Sequence, residues 1–172
     1  MYASTNNMAG SQRAALSLIE VVASTMIVGM MSVAALNSLG AATKSSESIG
    51  NRAVALGLAD ELMSEILQQN YEEPTQTVTF GRESGESATV RSTYDDVDDY
   101  NGWNQSPPRY RDGTVMPNRA NWRHRVTVAR VSPNNPTQVV FTEQGAKLIV
   151  VTVEFDGAVV EEQYAVRANL DE

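Results

Sequence analysis

Residues 11–43, SQRAALSLIEVVASTMIVGMMSVAALNSLGAAT, restrict the fold more than any other part of the chain. Between Val21 and Thr43 no residue is charged and most are apolar. About 20 apolar residues are enough to carry a helix across the hydrocarbon core of a bilayer. The run contains no proline, so nothing interrupts the backbone hydrogen-bond ladder. Arg13 precedes it, and the charge bias places that end on the cytoplasmic side and the C-terminal bulk on the other. Glu20 opens the run. A carboxylate at the edge of a spanning helix is costly unless it is paired, protonated or close to the headgroups. Glu20 therefore either rests in the interface or meets a positive group within the membrane. A secretory signal would have an apolar core of roughly 7–15 residues and a small-residue cleavage site after it. Ala41-Ala42 mimics such a site, but the run is longer than that core and begins on an acid.

The residues Ala15-Leu16-Ser17-Leu18-Ile19-Glu20-Val21-Val22 resemble the processing site of the type IV pilin and type II secretion pseudopilin family. That pattern is a small residue, an apolar residue, Ser or Thr, two apolar residues and Glu, ahead of a long apolar helix. The resemblance covers residues 15 to about 39. Ala15 stands where the family usually has Gly, and Leu16 where it usually has Phe. The resemblance implies a leader over 1–15, cleavage by a prepilin peptidase between Ala15 and Leu16, and N-methylation of Leu16. It implies that Glu20 takes the place of the family's assembly glutamate and meets the Leu16 amine. It also implies a single-pass protein of the bacterial inner membrane, its C-terminal domain in the periplasm or another extracytoplasmic space. The implied partners are other pilin-like subunits and an inner-membrane assembly platform. The LADELMSEIL run is similar to the helix of the I-type and V-type minor subunits.

The remaining chain, within a total of 172 residues, suffices for one modest domain. It has no cysteine, so disulfides and thiolate metal sites are excluded and the domain rests on its own core. Lys+Arg is 13 and Asp+Glu is 21, a net charge of −8. Arg13 and Glu20 cancel within the first 43 residues, so the whole excess belongs to residues 44–172. Such an acidic domain argues against nucleic acid and against anionic headgroups as partners.

The helical pattern continues past the apolar run. Ile49, Ala53, Leu56, Ala59, Met63, Ile66 and Leu67 recur at three- and four-residue steps, with Leu58 and Leu62 widening the stripe. Glu47, Arg52, Asp60, Glu61 and Glu65 lie mostly elsewhere on the surface. Gly40, Gly50 and Gly57 each weaken the helix by up to about 1 kcal/mol relative to alanine. Pro74 closes the segment. The expected organisation is a spanning segment 16–43, an amphipathic segment 44–73, and a β domain 74–172. One helix from Leu16 to Asn70 would be about 80 Å long.

After Pro74 the period becomes two. Residues 75–80 and 87–93 read as strands around a loop 81–85. Residues 94–121 hold three prolines, two glycines and little periodicity, and read as a long loop, functional or mobile. Residues 122–131 alternate as a strand, 133–136 are a turn, and 138–142 form a short strand or an edge. Residues 146–155 and 158–168 are the clearest strands, joined at Asp156-Gly157 by a two-residue turn. Ile149, Val151, Val153 and Phe155 form the face expected to cover the helix; Leu148, Val150 and Thr152 form the other. The fold class is α+β: a long N-terminal helix laid on an antiparallel sheet of about four strands.

Asp95, Asp96, Asp98 and Asp99 crowd the long loop. Clustered carboxylates on a loop can hold a hard cation such as Ca²⁺, although the spacing is not that of an EF-hand. A solvated acidic loop packed down by Tyr94, Tyr100 and Trp103 is the competing reading. His124, between Arg123 and Arg125, reads as a strand-surface residue rather than a zinc ligand. No motif for catalysis emerges, nor for any other cofactor. The sequence points to a structural pilin-like subunit, with a membrane-anchored binding module built on the acidic loop as the alternative.

Overall fold

The computed structural model describes residues 17–73 and 79–169. The chain divides between Ser46 and Glu47 into two compact units. Helix α1, Leu18–Leu67, runs for 50 residues and enters both. Its start is chemically defined. The Glu20 N–H lies 2.9 Å from the Ser17 carbonyl and 3.3 Å from Ser17 Oγ, so Ser17 caps the helix three residues ahead of an acid. Ala15 and Leu16 lie outside the described residues.

In the first unit, every described residue is exposed, among them Val22, Met26, Met30, Val33, Leu36 and Leu39. Three of its hydroxyls bond back to the helix backbone. Thr25 Oγ1 donates to the Val22 carbonyl at 2.9 Å, Ser32 Oγ to Val28 at 2.8 Å and Thr43 Oγ1 to Gly40 at 3.0 Å. Those three side chains need no water, which suits a hydrocarbon surrounding. Among the described residues this is one helix long and apolar enough to cross a membrane.

In the second unit the helix buries Ala55, Leu58, Ala59, Leu62, Met63 and Ile66. The stripe is therefore turned from the one expected: Leu58 and Leu62 are central, while Ile49 and Leu56 are exposed. Ala55 and Ala59 are fully buried in the cluster shared with the sheet, beside the larger Leu58, Leu62, Met63 and Ile66. The helix runs without a break through Gly40, Gly50 and Gly57 and ends at Leu67, ahead of Pro74.

The sheet has five antiparallel strands: β1 (Asn104–Gln105), β2 (Trp122–Ser132), β3 (Asn135–Val139), β4 (Ala146–Phe155) and β5 (Ala158–Ala168). The order is β1-β2-β4-β5, with β3 paired to the far end of β2. In the register, Trp122, His124, Val126 and Val128 lie opposite Phe155, Val153, Val151 and Ile149. Ile149, Val151 and Val153 are fully buried in the cluster that holds the helix stripe, as the alternation predicts. Asp156 and Gly157 join β4 to β5 with φ of 50° and 81°, the paired positive values of a tight hairpin turn. On β5, Glu161 pairs with Arg52 at 3.7 Å and Gln163 donates to Asp60 at 2.5 Å, both from the helix.

Two expectations are corrected, and a third lies largely outside the described residues. Residues 87–93 form no strand; Arg91–Thr93 is a 3-10 turn. The cause is Arg91, whose side chain is drawn into the core and whose N–H bonds to the Arg111 carbonyl rather than to a ladder. The expected strand at 75–80 falls largely outside the described residues, and Phe80 belongs to no strand. The short strand expected at 138–142 is β3, and it begins at Asn135, so the turn is only Pro133-Asn134. Pro136 fits because this is a short edge strand.

Candidate functional site

The stretch following α1 gathers most of the domain's buried charge. It is packed rather than loose: Tyr94, Val97, Tyr100, Trp103 and Met116 are all buried. Asn70 bridges to Asp96, and the Val97 N–H bonds to the Asn70 carbonyl at 3.1 Å, so the chain leaving the helix anchors the turn at Asp98–Tyr100.

Two buried cations organise this region. Arg91 Nε and Nη2 each lie 2.9 Å from a Glu65 oxygen, a two-pronged pair between the loop and the helix. The Tyr100 hydroxyl donates to the same carboxylate at 3.0 Å, and Arg91 lies 4.4 Å over the Trp103 ring. Lys147 is the second. The strand alternation that buries Ile149 also turns Lys147 inward, where its Nζ meets Asp98 Oδ1 and the Tyr71 carbonyl. Asp98 Oδ2 accepts the Gly81 N–H at 2.8 Å.

The four aspartates of the sequence motif thus have different occupations. Asp96, Asp98 and Asp99 are buried, which corrects the picture of a solvated loop. Asp96 Oδ1 accepts the N–H groups of Asp98 and Asp99, at 2.7 and 3.2 Å. Asp99 Oδ2 accepts those of Asp95 and Asp96, at 3.0 and 3.1 Å. Burial, with Asp98 and Asp99 nearby, pushes the Asp96 carboxyl up to about 8. The four do not converge on one point. Among the described residues, the acids that do are Glu83, Glu86 and Asp99, with one oxygen from each lying within 4.8 Å of the others. The two glutamates escaped notice in the sequence because they lie outside the aspartate run. The tight turn between them, Glu-Ser-Gly-Glu, was the available signal.

His124 is also buried, not on the strand surface. It follows Trp122 and precedes Val126 on the inward face of β2, where its ring lies 6.0 Å from Trp103. Its Nε2 accepts the Arg109 N–H at 3.4 Å, so the neutral ring carries its proton on Nδ1. Burial and then Arg91 push it down to about 3. The unfolded chain takes up a proton near pH 6.5 and the folded chain does not until about 3, so this group's contribution falls as the pH drops through that window. The stability advantage of wild type over His124→Gln is expected to shrink by up to about 1.4 kcal/mol per pH unit below 6.5. Melting both chains at pH 7 and pH 5 tests this; an unchanged gap refutes it.

Glu20 is exposed in the first turn of α1. No family model, no curated protein and no solved structure matches this chain.

Proposed function

We propose that this protein is a minor pilin-like structural subunit of a type II secretion pseudopilus or a type IV pilus. The observation that carries the reading is the double character of α1. Between Leu18 and Ser46 every residue is exposed, apolar ones included, and from Ala55 onward the same helix supplies one wall of a folded core. A helix whose first half needs lipid or other helices, and whose second half belongs to a domain, suits a subunit that waits in the membrane and assembles by helix packing.

On this reading a prepilin peptidase cuts between Ala15 and Leu16. The chain then crosses the bacterial inner membrane once, with the β domain on the extracytoplasmic side. The freed Leu16 amine pairs with Glu20 of a neighbouring subunit, because each charge is costly alone in the membrane and pairing them favours one axial register. The partners are other pilin-like chains and the assembly platform, and the role is structural. The capping arrangement at Ser17 agrees with a helix that begins at the cut. The second reading, a membrane-anchored binding module, is favoured by the convergence of Glu83, Glu86 and Asp99.

Intact mass of the membrane-extracted chain tests the proposal. The expected first residue is Leu16, with an added methyl group. A chain that keeps Met1, or one cut after Ala42, overturns it.

A further inference from the structure

The sheet carries an apolar projection at one end and a recess at the other. Strand β3 pairs only with β2, and all five of its residues are exposed. Just past it the backbone is fastened. The Val140 N–H donates to the Arg130 carbonyl at 2.9 Å, and Arg130 Nη1 donates to the Phe141 carbonyl at 3.4 Å. The side chains there are bare: Phe141 is 96% exposed and Val139 61%. A phenyl ring held in water at a fixed place keeps its full hydrophobic drive to associate, with less ordering left to oppose it.

At the other end, Trp122 begins β2 and Phe155 closes β4 opposite it, their rings 4.8 Å apart and tilted by 46°. With Asn118, Ala120 and Asn121 they line an open recess of about 310 Å³. Its wall is tied in place: the Asp156 N–H donates to the Asn121 carbonyl at 2.9 Å, and the Trp122 N–H to the Arg119 carbonyl at 3.0 Å. A ring entering here would join two others at the separations of about 4.5–7 Å that aromatic pairs favour. The projection cannot fill the recess of its own chain. The two lie at opposite ends of the 11-residue strand β2, about 30 Å apart at 3.3 Å per residue.

Charge singles out the occupant. The chain carries −8, all of it in residues 44–172, so two copies repel over most of the domain surface. From Ser132 to Thr142 no residue is charged, and no charged side chain lines the recess. These are the surfaces on which two acidic copies can meet without setting like charges together. We propose that Phe141 of one copy enters the Trp122–Phe155 recess of a second copy. The two surfaces differ, so the contact is heterologous. A copy that gives its ring keeps an open recess for the next, and copies add in a row unless the rotation closes a ring. One side chain in one recess falls well short of the roughly 1,200 Å² buried in a stable pair, so the contact is weak and is read by cross-linking. It does not depend on the pilin reading.

The chain has no cysteine, so introduced thiols report without background. Thr142→Cys marks the projection and Ala120→Cys the recess, both at exposed positions. The two full-length variants, differently tagged, are mixed in detergent and treated with a short bismaleimide. A mixed dimer is expected, with little product from either variant alone. A chain carrying both substitutions should give a ladder beyond the dimer. Phe141→Ser should lower the mixed product by about tenfold or more, as loss of a central anchor does. Its melting temperature should stay at the wild-type value, because the ring is in solvent. Asn121→Arg, which brings a charge to the recess, should act likewise. Absence of the mixed dimer overturns the proposal, and so does equal cross-linking within Thr142→Cys alone, which would mean that projection meets projection. A mixed dimer that survives Phe141→Ser also overturns it, since the copies would then be joined through another surface.

Discussion

Arg91→Met should cost about 3–5 kcal/mol, the usual consequence of removing one partner from a buried ion pair. The guanidinium holds both oxygens of Glu65, donates to the Arg109 carbonyl at 3.1 Å and covers the Trp103 ring. Methionine replaces the stacking area but none of the donors. The Glu65 carboxylate, 13% exposed, is left with only the Tyr100 hydroxyl. Domains are commonly stable by only 5–15 kcal/mol, so the loss should be visible as a large fall in the urea midpoint. Arg91→Lys should rescue little, because an ammonium cannot reproduce the planar fork. Arg91→Met/Glu65→Met should recover much of the deficit, since no lone charge remains. A single variant within 1 kcal/mol of wild type would show that the pair contributes nothing beyond packing.

Lys147→Met should have an effect of similar size at the other end of the site. Lys147 and Asp98 are each 2% exposed, and the lysine also serves the Tyr71 carbonyl. Removing the ammonium leaves Asp98 buried beside Asp96 and Asp99, where repulsion adds to desolvation. We expect a loss of about 3–5 kcal/mol in denaturant titration. Adding Asp98→Asn should restore part of it, because the amide is neutral and can still accept the Gly81 N–H. Failure of that second substitution to restore any stability would mean the lysine acts through its hydrocarbon stem and not its charge.

What was legible in the sequence came from periodicity. The long apolar helix, the two long strands with their Asp156-Gly157 turn and the inward set of Ile149, Val151 and Val153 are local patterns, and each appears where expected. The helix stripe was legible only approximately, because several overlapping apolar sets fit a 3.6-residue period and packing selects among them. Burial of charge was not legible. Lys147, His124 and Arg91 look like surface residues by type, and only a partner distant in sequence makes their burial tolerable. Lys147 finds Asp98 across 49 positions and Arg91 finds Glu65 across 26. Even so, the alternation that buries Ile149 and Val126 also points Lys147 and His124 inward, so the pattern held a clue that residue type obscured. The grouping of Glu83 and Glu86 with Asp99 depends on how one loop lies against another, which no local pattern encodes.

The order in which the wall of the core is built has a consequence for biosynthesis. The helix stripe Ala55, Leu58, Leu62 and Ile66 leaves the ribosome early, but its cover, β4 and β5, is the last sheet structure made. Roughly a hundred residues separate the stripe from the end of β5, which at about 5–20 residues per second leaves it bare for about 5–20 seconds. The membrane-competent half of the same helix has emerged before any of this. During that interval the nascent chain presents two apolar surfaces in succession, one that lipid can receive and one that must be held open for a sheet not yet translated.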